Sequence, residues 1–102
     1  MYQLFTDAGH AWLQVPIQEI KRLNLEKKIS KYSYVSKDKE YLYLEEDCDM
    51  LEFMNAKSKE LNILEDTKAW FDYWKREIEP ENYQENSFVR LLKRFILFWR
   101  PD

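Results

Sequence analysis

Two stretches of alternating apolar and polar residues constrain the fold of this chain more than any other feature. Each consists of two strand-like runs around a turn: Tyr2–Thr6 and Ala11–Val15 around residues 7–10, then Tyr32–Ser36 and Tyr41–Glu45 around residues 37–40. A period of two is typical of half-buried strands, and two such runs joined by a four-residue turn predict a β-hairpin. We therefore expect two hairpins that merge into a four-stranded, mainly antiparallel sheet.

The alternation also predicts which side chains share a face of the sheet. In the first hairpin, Thr6 would pair with Ala11, so that Leu4 faces Leu13 and Phe5 faces Trp12. In the second, Ser36 would pair with Tyr41. Its apolar face would then hold Val35, Leu42 and Leu44, and its opposite face would hold four tyrosines: Tyr32, Tyr34, Tyr41 and Tyr43.

Apolar residues at helical spacing follow each hairpin. A short helix is predicted over residues 16–23, starting at Pro16 and closed by a left-handed Asn24. Three longer helices are predicted after the second hairpin: from a capping box at Asp49 and Glu52 to about Leu64, from Asp66 or Thr67 to Pro80, and from Ser87 to about Trp99. The predicted fold is therefore α+β, with about three C-terminal helices packed on the sheet. It forms one domain over residues 1–102, with a sheet-rich half (1–49) and a helical half (50–102).

Length and cysteine usage indicate a small cytoplasmic protein. A chain of 102 residues fits one core, and a single cysteine, Cys48, cannot form an intramolecular disulfide. The first ten residues lack a basic segment followed by an apolar run, which argues against a signal peptide. No apolar run approaches the roughly 18–20 residues that span a bilayer, so we expect no stable membrane insertion.

The net charge of −3 conceals two segments of opposite sign. Residues 21–39 carry seven Lys or Arg against two acids, whereas residues 40–66 carry two Lys against nine acids. Clustered charge of one sign favours a partner of the other sign. The acids at the end of the second hairpin are therefore predicted to bind a protein with a basic surface: Glu45, Glu46, Asp47, Asp49 and Glu52.

The same acids could in principle hold a divalent cation, since Mg²⁺ and Ca²⁺ prefer oxygen ligands. The spacing of an EF-hand fails here, however, because Leu51 and Phe53 stand where oxygen ligands are required and the turn glycine is missing. A solvated turn that also stabilises the start of a helix explains these acids without a metal. We predict neither a metal site nor a cofactor.

The tyrosine face gives an alternative function. Aromatic rings on a sheet can stack unpaired bases, and lysines beside them can contact phosphates. The predicted single-stranded nucleic-acid face comprises Tyr32, Tyr34, Tyr41 and Tyr43 with Lys31, Lys37 and Lys39. The neighbouring acids oppose this interpretation, and large aromatic side chains more often belong to a core.

A small hydrolase using Cys48 and His10 is a third alternative. Neither residue lies in a nucleophile or metal-ligand motif, so we predict that the protein is not an enzyme and assign no catalytic residue. The C-terminal segment carries a broad apolar face, typical of a helix buried on two sides. It suggests a helix interface through Phe95, Phe98 and Trp99, and with it a homodimer.

Three blocks of the sequence carry a resemblance to known proteins. They are the runs His10 to Pro16, Lys28 to Tyr34 and Tyr43 to Asp49, and together they resemble a family of small uncharacterised proteins of bacteria, phages and plasmids. The likeness covers residues 8–54 and departs from the family pattern at Asn24, where a glycine is usual. It implies a setting on mobile elements and carries over no catalytic residue.

Together these features predict a non-enzymatic protein-binding module. The charge pattern indicates an acidic docking surface, and the resemblance implies a phage- or mobile-element-encoded modulator. An inhibitor of a nucleic-acid-handling defence enzyme would fit both, because such enzymes present basic grooves.

Overall fold

The computed structural model describes residues 1–6, 9–81 and 97–98. In chain order, the elements are β1 (Tyr2–Thr6), β2 (Ala11–Pro16), α1 (Ile17–Arg22), β3 (Tyr34–Val35), β4 (Tyr41–Glu45), α2 (Asp49–Glu60), α3 (Thr67–Glu77), β5 (Ile78–Glu81) and β6 (Leu97–Phe98). The predicted α+β class is confirmed.

Both hairpins form in the predicted register. Leu4 faces Leu13 and Phe5 faces Trp12 in the first, and Val35 faces Leu42 in the second. The hairpins join because β2 pairs antiparallel with β4, with Leu13 opposite Leu44. This gives the predicted four-stranded antiparallel unit β1-β2-β4-β3. β3 is shorter than expected, and Tyr32 lies in the turn before it.

Two further strands extend this unit to the order β5-β1-β2-β4-β3-β6. β5 follows α3 directly and pairs parallel with β1, with Tyr2 opposite Ile78, whereas β6 pairs antiparallel with β3. The helix predicted to run to Pro80 therefore ends at Glu77, and the chain continues as a strand from Ile78. Pro80 is tolerated there because β5 is an edge strand among the described residues, and a missing backbone N–H at an edge breaks no inner ladder.

α1 ends as the sequence predicts. Asn24 adopts a left-handed φ of 56°, its amide donates to the Lys21 carbonyl (3.0 Å), and the Leu25 amide donates to the Ile20 carbonyl (3.0 Å). This is the Schellman arrangement, in which a buried Leu25 seals the helix end. α2 closes in the same way at Asn62 (φ 60°), where the Ile63 amide reaches the Ser58 carbonyl.

α2 begins differently from the prediction. Cys48 occupies the N-cap position, and within the described residues its side chain makes no capping hydrogen bond, so the capping box proposed for Asp49 and Glu52 is wrong. Asp49 turns inward instead. Because residues four apart share a helix face, Phe53 is buried with it and Leu51 is left exposed. α3 starts as expected, with the Asp66 carboxylate accepting from the Ala69 amide (3.0 Å).

The core lies between one face of the sheet and the helices. Leu13, Val15, Leu42 and Leu44 are fully buried on the sheet side, and Phe53 is fully buried on α2. Residues of α1, α3 and the connecting segments complete this cluster: Ile17, Ile20, Leu25, Ile29 and Trp74. On the opposite face, Phe5, Trp12 and Tyr43 are buried as well.

The last predicted helix lies mostly outside the described residues. Of its proposed interface, Phe95 and Trp99 lie outside them. Leu97 and Phe98 form β6, so at these two positions the helix prediction is wrong.

Candidate functional site: an exposed acidic turn

The turn between β4 and α2 presents acidic side chains on a fixed backbone. The Glu46 amide donates to the Ala11 carbonyl (3.1 Å), which ties the turn to the neighbouring strand. The Glu45 carboxylate accepts from the amides of Asp47 (2.9 Å) and Cys48 (3.3 Å), which closes the turn upon itself. Glu45 is half-buried. The side chains of Glu46, Asp47 and Glu52 are exposed, and we call these three residues the acidic surface.

Asp49 does not belong to this surface, although the sequence predicts that it does. It is only 1% exposed, and its Oδ1 accepts from the Ser30 amide (3.0 Å). Its Oδ2 accepts from the hydroxyls of Ser30 (2.6 Å) and Ser33. A carboxylate can be buried when donors surround it, because hydrogen bonds replace those lost from water. Asp49 therefore holds the start of α2, which follows the turn, against the segment that contains Ser30 and Ser33.

Ser30 and Ser33 hold the turn in place, and the sequence does not predict this role. The Ser33 hydroxyl donates to Asp49 and accepts from the Glu45 amide (3.0 Å), so it links the end of β4 to the start of α2. Their only sequence signal is a pair of small hydroxyl residues three apart between a buried Ile29 and β3. That signal does not identify Asp49 as the partner, because the partner lies 16–19 residues away.

The carboxylates of the acidic surface lack neutralising cations among the described residues. No lysine or arginine nitrogen in these ranges lies within 4 Å of Glu46, Asp47 or Glu52. Other acids are paired: Glu19 with Lys57, Glu60 with Arg22, and Asp72 with Lys68. Among the described residues, several carboxylates are thus paired within the fold, whereas those of the acidic surface are exposed and unpaired.

The four tyrosines of the proposed nucleic-acid face do not form one accessible platform. Tyr43 is only 4% exposed, and its ring packs edge-on against Phe5 at 5.6 Å between centroids. Tyr34 is half-buried. Tyr32 and Tyr41 are exposed, and the Lys31 ammonium lies 5.6 Å from the Tyr32 ring centroid. Lys37 and Lys39 are exposed in the hairpin turn, so two rings and three lysines remain for that interpretation.

Cys48 and His10 lie at the same end of the sheet. The imidazole of His10 stacks on the Trp12 indole at 5.5 Å, and Cys48 is exposed at the N-cap of α2. In the described ranges, no group of three or more His, Cys, Asp or Glu side chains could hold a metal ion.

A half-buried polar cluster joins β1, α1 and α2. The Tyr2 hydroxyl donates to Glu19 Oε1 (2.5 Å), and Lys57 Nζ donates both to Glu19 Oε1 (2.5 Å) and to the Tyr2 hydroxyl. Burial, reinforced by the hydrogen bond to Glu19, raises the pKa of Tyr2. Burial alone would lower the pKa of Lys57, but the hydrogen bonds to Glu19 and Tyr2 outweigh it and raise that pKa. Both groups keep their protons at neutral pH, and the hydrogen bonds of Tyr2, Glu19 and Lys57 tie β1, α1 and α2 together; we call these three residues the clasp.

This clasp predicts a loss of stability in alkali. A raised pKa means that the folded state holds the proton more tightly than the unfolded state. The stabilisation is therefore complete below the ordinary pKa values of Tyr and Lys, about 10 and about 10.4, and declines as the pH rises further. We expect the urea midpoint of the wild type to fall above about pH 10 more steeply than that of Tyr2→Phe/Lys57→Met. Parallel curves would show that the clasp is not formed.

The fold and this turn define a small α+β protein with an exposed, backbone-anchored acidic surface. A scan against protein-family models and searches of curated proteins and of solved structures returned no match. None of the helices in the described ranges combines the length and the apolar character needed to cross a bilayer.

Proposed function

We propose that this protein is a non-enzymatic binding module whose acidic surface docks on a basic surface of a partner protein. The observation that carries the proposal is the exposure of Glu46, Asp47 and Glu52 without neighbouring cations in the described part of the chain. A partner with clustered Lys or Arg would gain electrostatic complementarity there, which steers association and selects against acidic competitors.

The rigidity of the turn supports this proposal. Its backbone is fixed by Glu45, by the Ala11 carbonyl and by the buried Asp49, so the exposed carboxylates are presented without ordering a loop. Preorganisation of this kind reduces the entropy lost on binding.

The class of partner follows from charge and from the resemblance to phage and plasmid proteins. Nucleic-acid-handling enzymes carry basic grooves, and a rigid acidic turn can occupy such a groove in place of phosphates. We therefore propose a modulator of a host defence enzyme, encoded by a mobile element and acting in the cytoplasm.

The acids could instead serve only the helix. Asp47 and Glu52 lie near the positive end of the α2 dipole, where a carboxylate stabilises a helix by roughly 0.3–1 kcal/mol. That role predicts a modest loss of stability on charge reversal and no effect on binding, whereas a docking surface predicts the loss of binding in a protein that remains folded.

Charge reversal distinguishes a docking surface from acids that only stabilise α2. We expect immobilised wild-type protein to capture a basic protein from an extract of its natural host, and Glu46→Lys/Asp47→Lys to bind the purified partner at least about tenfold more weakly, because like charges then face each other. Glu40→Lys/Glu65→Lys, with the same charge change on other exposed acids, should bind as the wild type does. Circular dichroism checks that each variant is folded. Equal binding by all three proteins would refute the acidic surface.

A further inference from the structure

An open apolar groove lies between α2 and α3. It has a volume of about 290 Å³ and is lined by Asn55, Leu64, Thr67, Trp70 and Phe71. Phe71 is 61% exposed and Leu51, one turn before Asn55, is 48% exposed. Among the residues that the structure describes, four of the seven exposed large apolar side chains lie on these two helices or the loop between them: Leu51, Leu61, Leu64 and Phe71. Leu64 and Phe71 line the groove itself, and exposed apolar side chains that adjoin in this way mark an interaction surface.

The charges beside the groove identify the kind of partner. Glu52 and Lys59 are exposed and lie seven residues apart, two turns along the same face of α2, with Asn55 between them. In the described part of the chain, neither is part of an ion pair. This face therefore carries both signs of charge, unlike the acidic turn. A uniformly basic or acidic partner would be repelled at one end of it.

A second copy of the same helix can pair with both Glu52 and Lys59. If two α2 helices cross antiparallel about an axis near Asn55, Glu52 of each copy faces Lys59 of the other. Such a two-fold contact is self-complementary, which is the requirement for a closed dimer. Opposite charges that flank an apolar seam select helix partner and orientation in the same way in coiled coils.

We propose that two copies of this chain associate through this face, with Leu51 and Phe71 buried between them and with reciprocal Glu52–Lys59 ion pairs. A stable interface buries roughly 1,200–2,000 Å² in total. We expect one helix face with a few apolar side chains to bury an area near the lower limit, and therefore a dimer that dissociates on dilution. This face of α2 shares only Glu52 with the acidic surface. Glu46 and Asp47 lie in the turn before α2 and are not part of the proposed dimer contact.

Sedimentation equilibrium over a concentration series tests the proposal with four proteins: the wild type, Glu52→Lys, Lys59→Glu and Glu52→Lys/Lys59→Glu. We expect the wild type to dimerise, each single variant to dimerise at least about tenfold more weakly because like charges then meet, and the double variant to recover. Phe71→Ser should also weaken the dimer. The charge variants are surface substitutions, for which a change within about 0.5 kcal/mol in folding stability is expected. Phe71 also packs edge-on against Trp70, so urea denaturation checks that each variant, Phe71→Ser included, remains folded.

A wild type that is monomeric throughout would overturn the proposal, as would single variants that dimerise normally or a double variant that fails to recover. The proposed function can fail separately. Lys59→Glu leaves the acidic surface unaltered, so it should still bind the basic partner even when it no longer dimerises.

Discussion

Replacing Asp49 by alanine is expected to lower the free energy of unfolding by about 2–4 kcal/mol, because it removes the acceptor of three hydrogen bonds in the interior. The Ser30 amide and the hydroxyls of Ser30 and Ser33 would each lose this carboxylate. A buried donor without an acceptor is costly, and here the three donors hold the segment before β3 against the start of α2. Urea denaturation followed by tryptophan fluorescence measures the loss.

Two control variants make this result specific. Asp49→Asn keeps one oxygen acceptor and should lose less stability than Asp49→Ala. Glu46→Ala changes a neighbouring exposed acid and should alter stability by no more than about 0.5 kcal/mol. If Asp49→Ala proved as mild as Glu46→Ala, Asp49 would be a surface residue and the anchoring of the turn would be wrong.

Trp74→Ala is expected to destabilise the fold by about 3–5 kcal/mol, the range for removing a large buried aromatic side chain. Trp74 is 3% exposed, and its ring lies 5.9 Å from Phe53 and 6.0 Å from Tyr2 between centroids. Its indole N–H donates to the Ser58 hydroxyl (2.8 Å), which itself donates to the Met54 carbonyl (2.6 Å). Trp74 thus joins α3 to α2 and β1 through both packing and a hydrogen bond.

A double-mutant cycle isolates the hydrogen bond from the packing. Trp74→Phe and Ser58→Ala each remove one partner, and we expect a coupling free energy of about 0.5–1.5 kcal/mol between them from urea denaturation. Trp70→Ala, at a half-buried ring on the same helix, should destabilise less than Trp74→Ala. Additive effects of Trp74→Phe and Ser58→Ala would show that the bond does not contribute, and a mild Trp74→Ala would contradict the α2–α3 packing.

The hairpins are predictable from sequence because their determinants are local. Alternation fixes which side chains share a face, and a one-residue slip would turn Leu13 and Leu42 toward the wrong face. The helix ends at Asn24 and at Asp66 are predictable for the same reason, since each depends on backbone groups within a few residues.

Asp49 shows where local reasoning fails. Its place in a run of acids predicts exposure, yet its three donors come from residues 16–19 positions earlier. The burial of Asp49 also goes with the buried face of α2, because Phe53 lies one turn further along the same face and is buried, whereas Leu51 is exposed. For the same reason, the sequence does not predict β5. Its short sequence lacks strand periodicity, and its pairing with β1 joins residues more than seventy positions apart.

The central claim is that the acidic surface binds a basic partner. NMR chemical-shift perturbation tests it most directly. The ¹⁵N-labelled protein would be titrated with the basic protein that it captures from its host. We expect the largest shifts at the amides of Glu46, Asp47 and Glu52, weakening as salt screens the contact. Unchanged signals from these three residues, with shifts confined to another face, would contradict the claim.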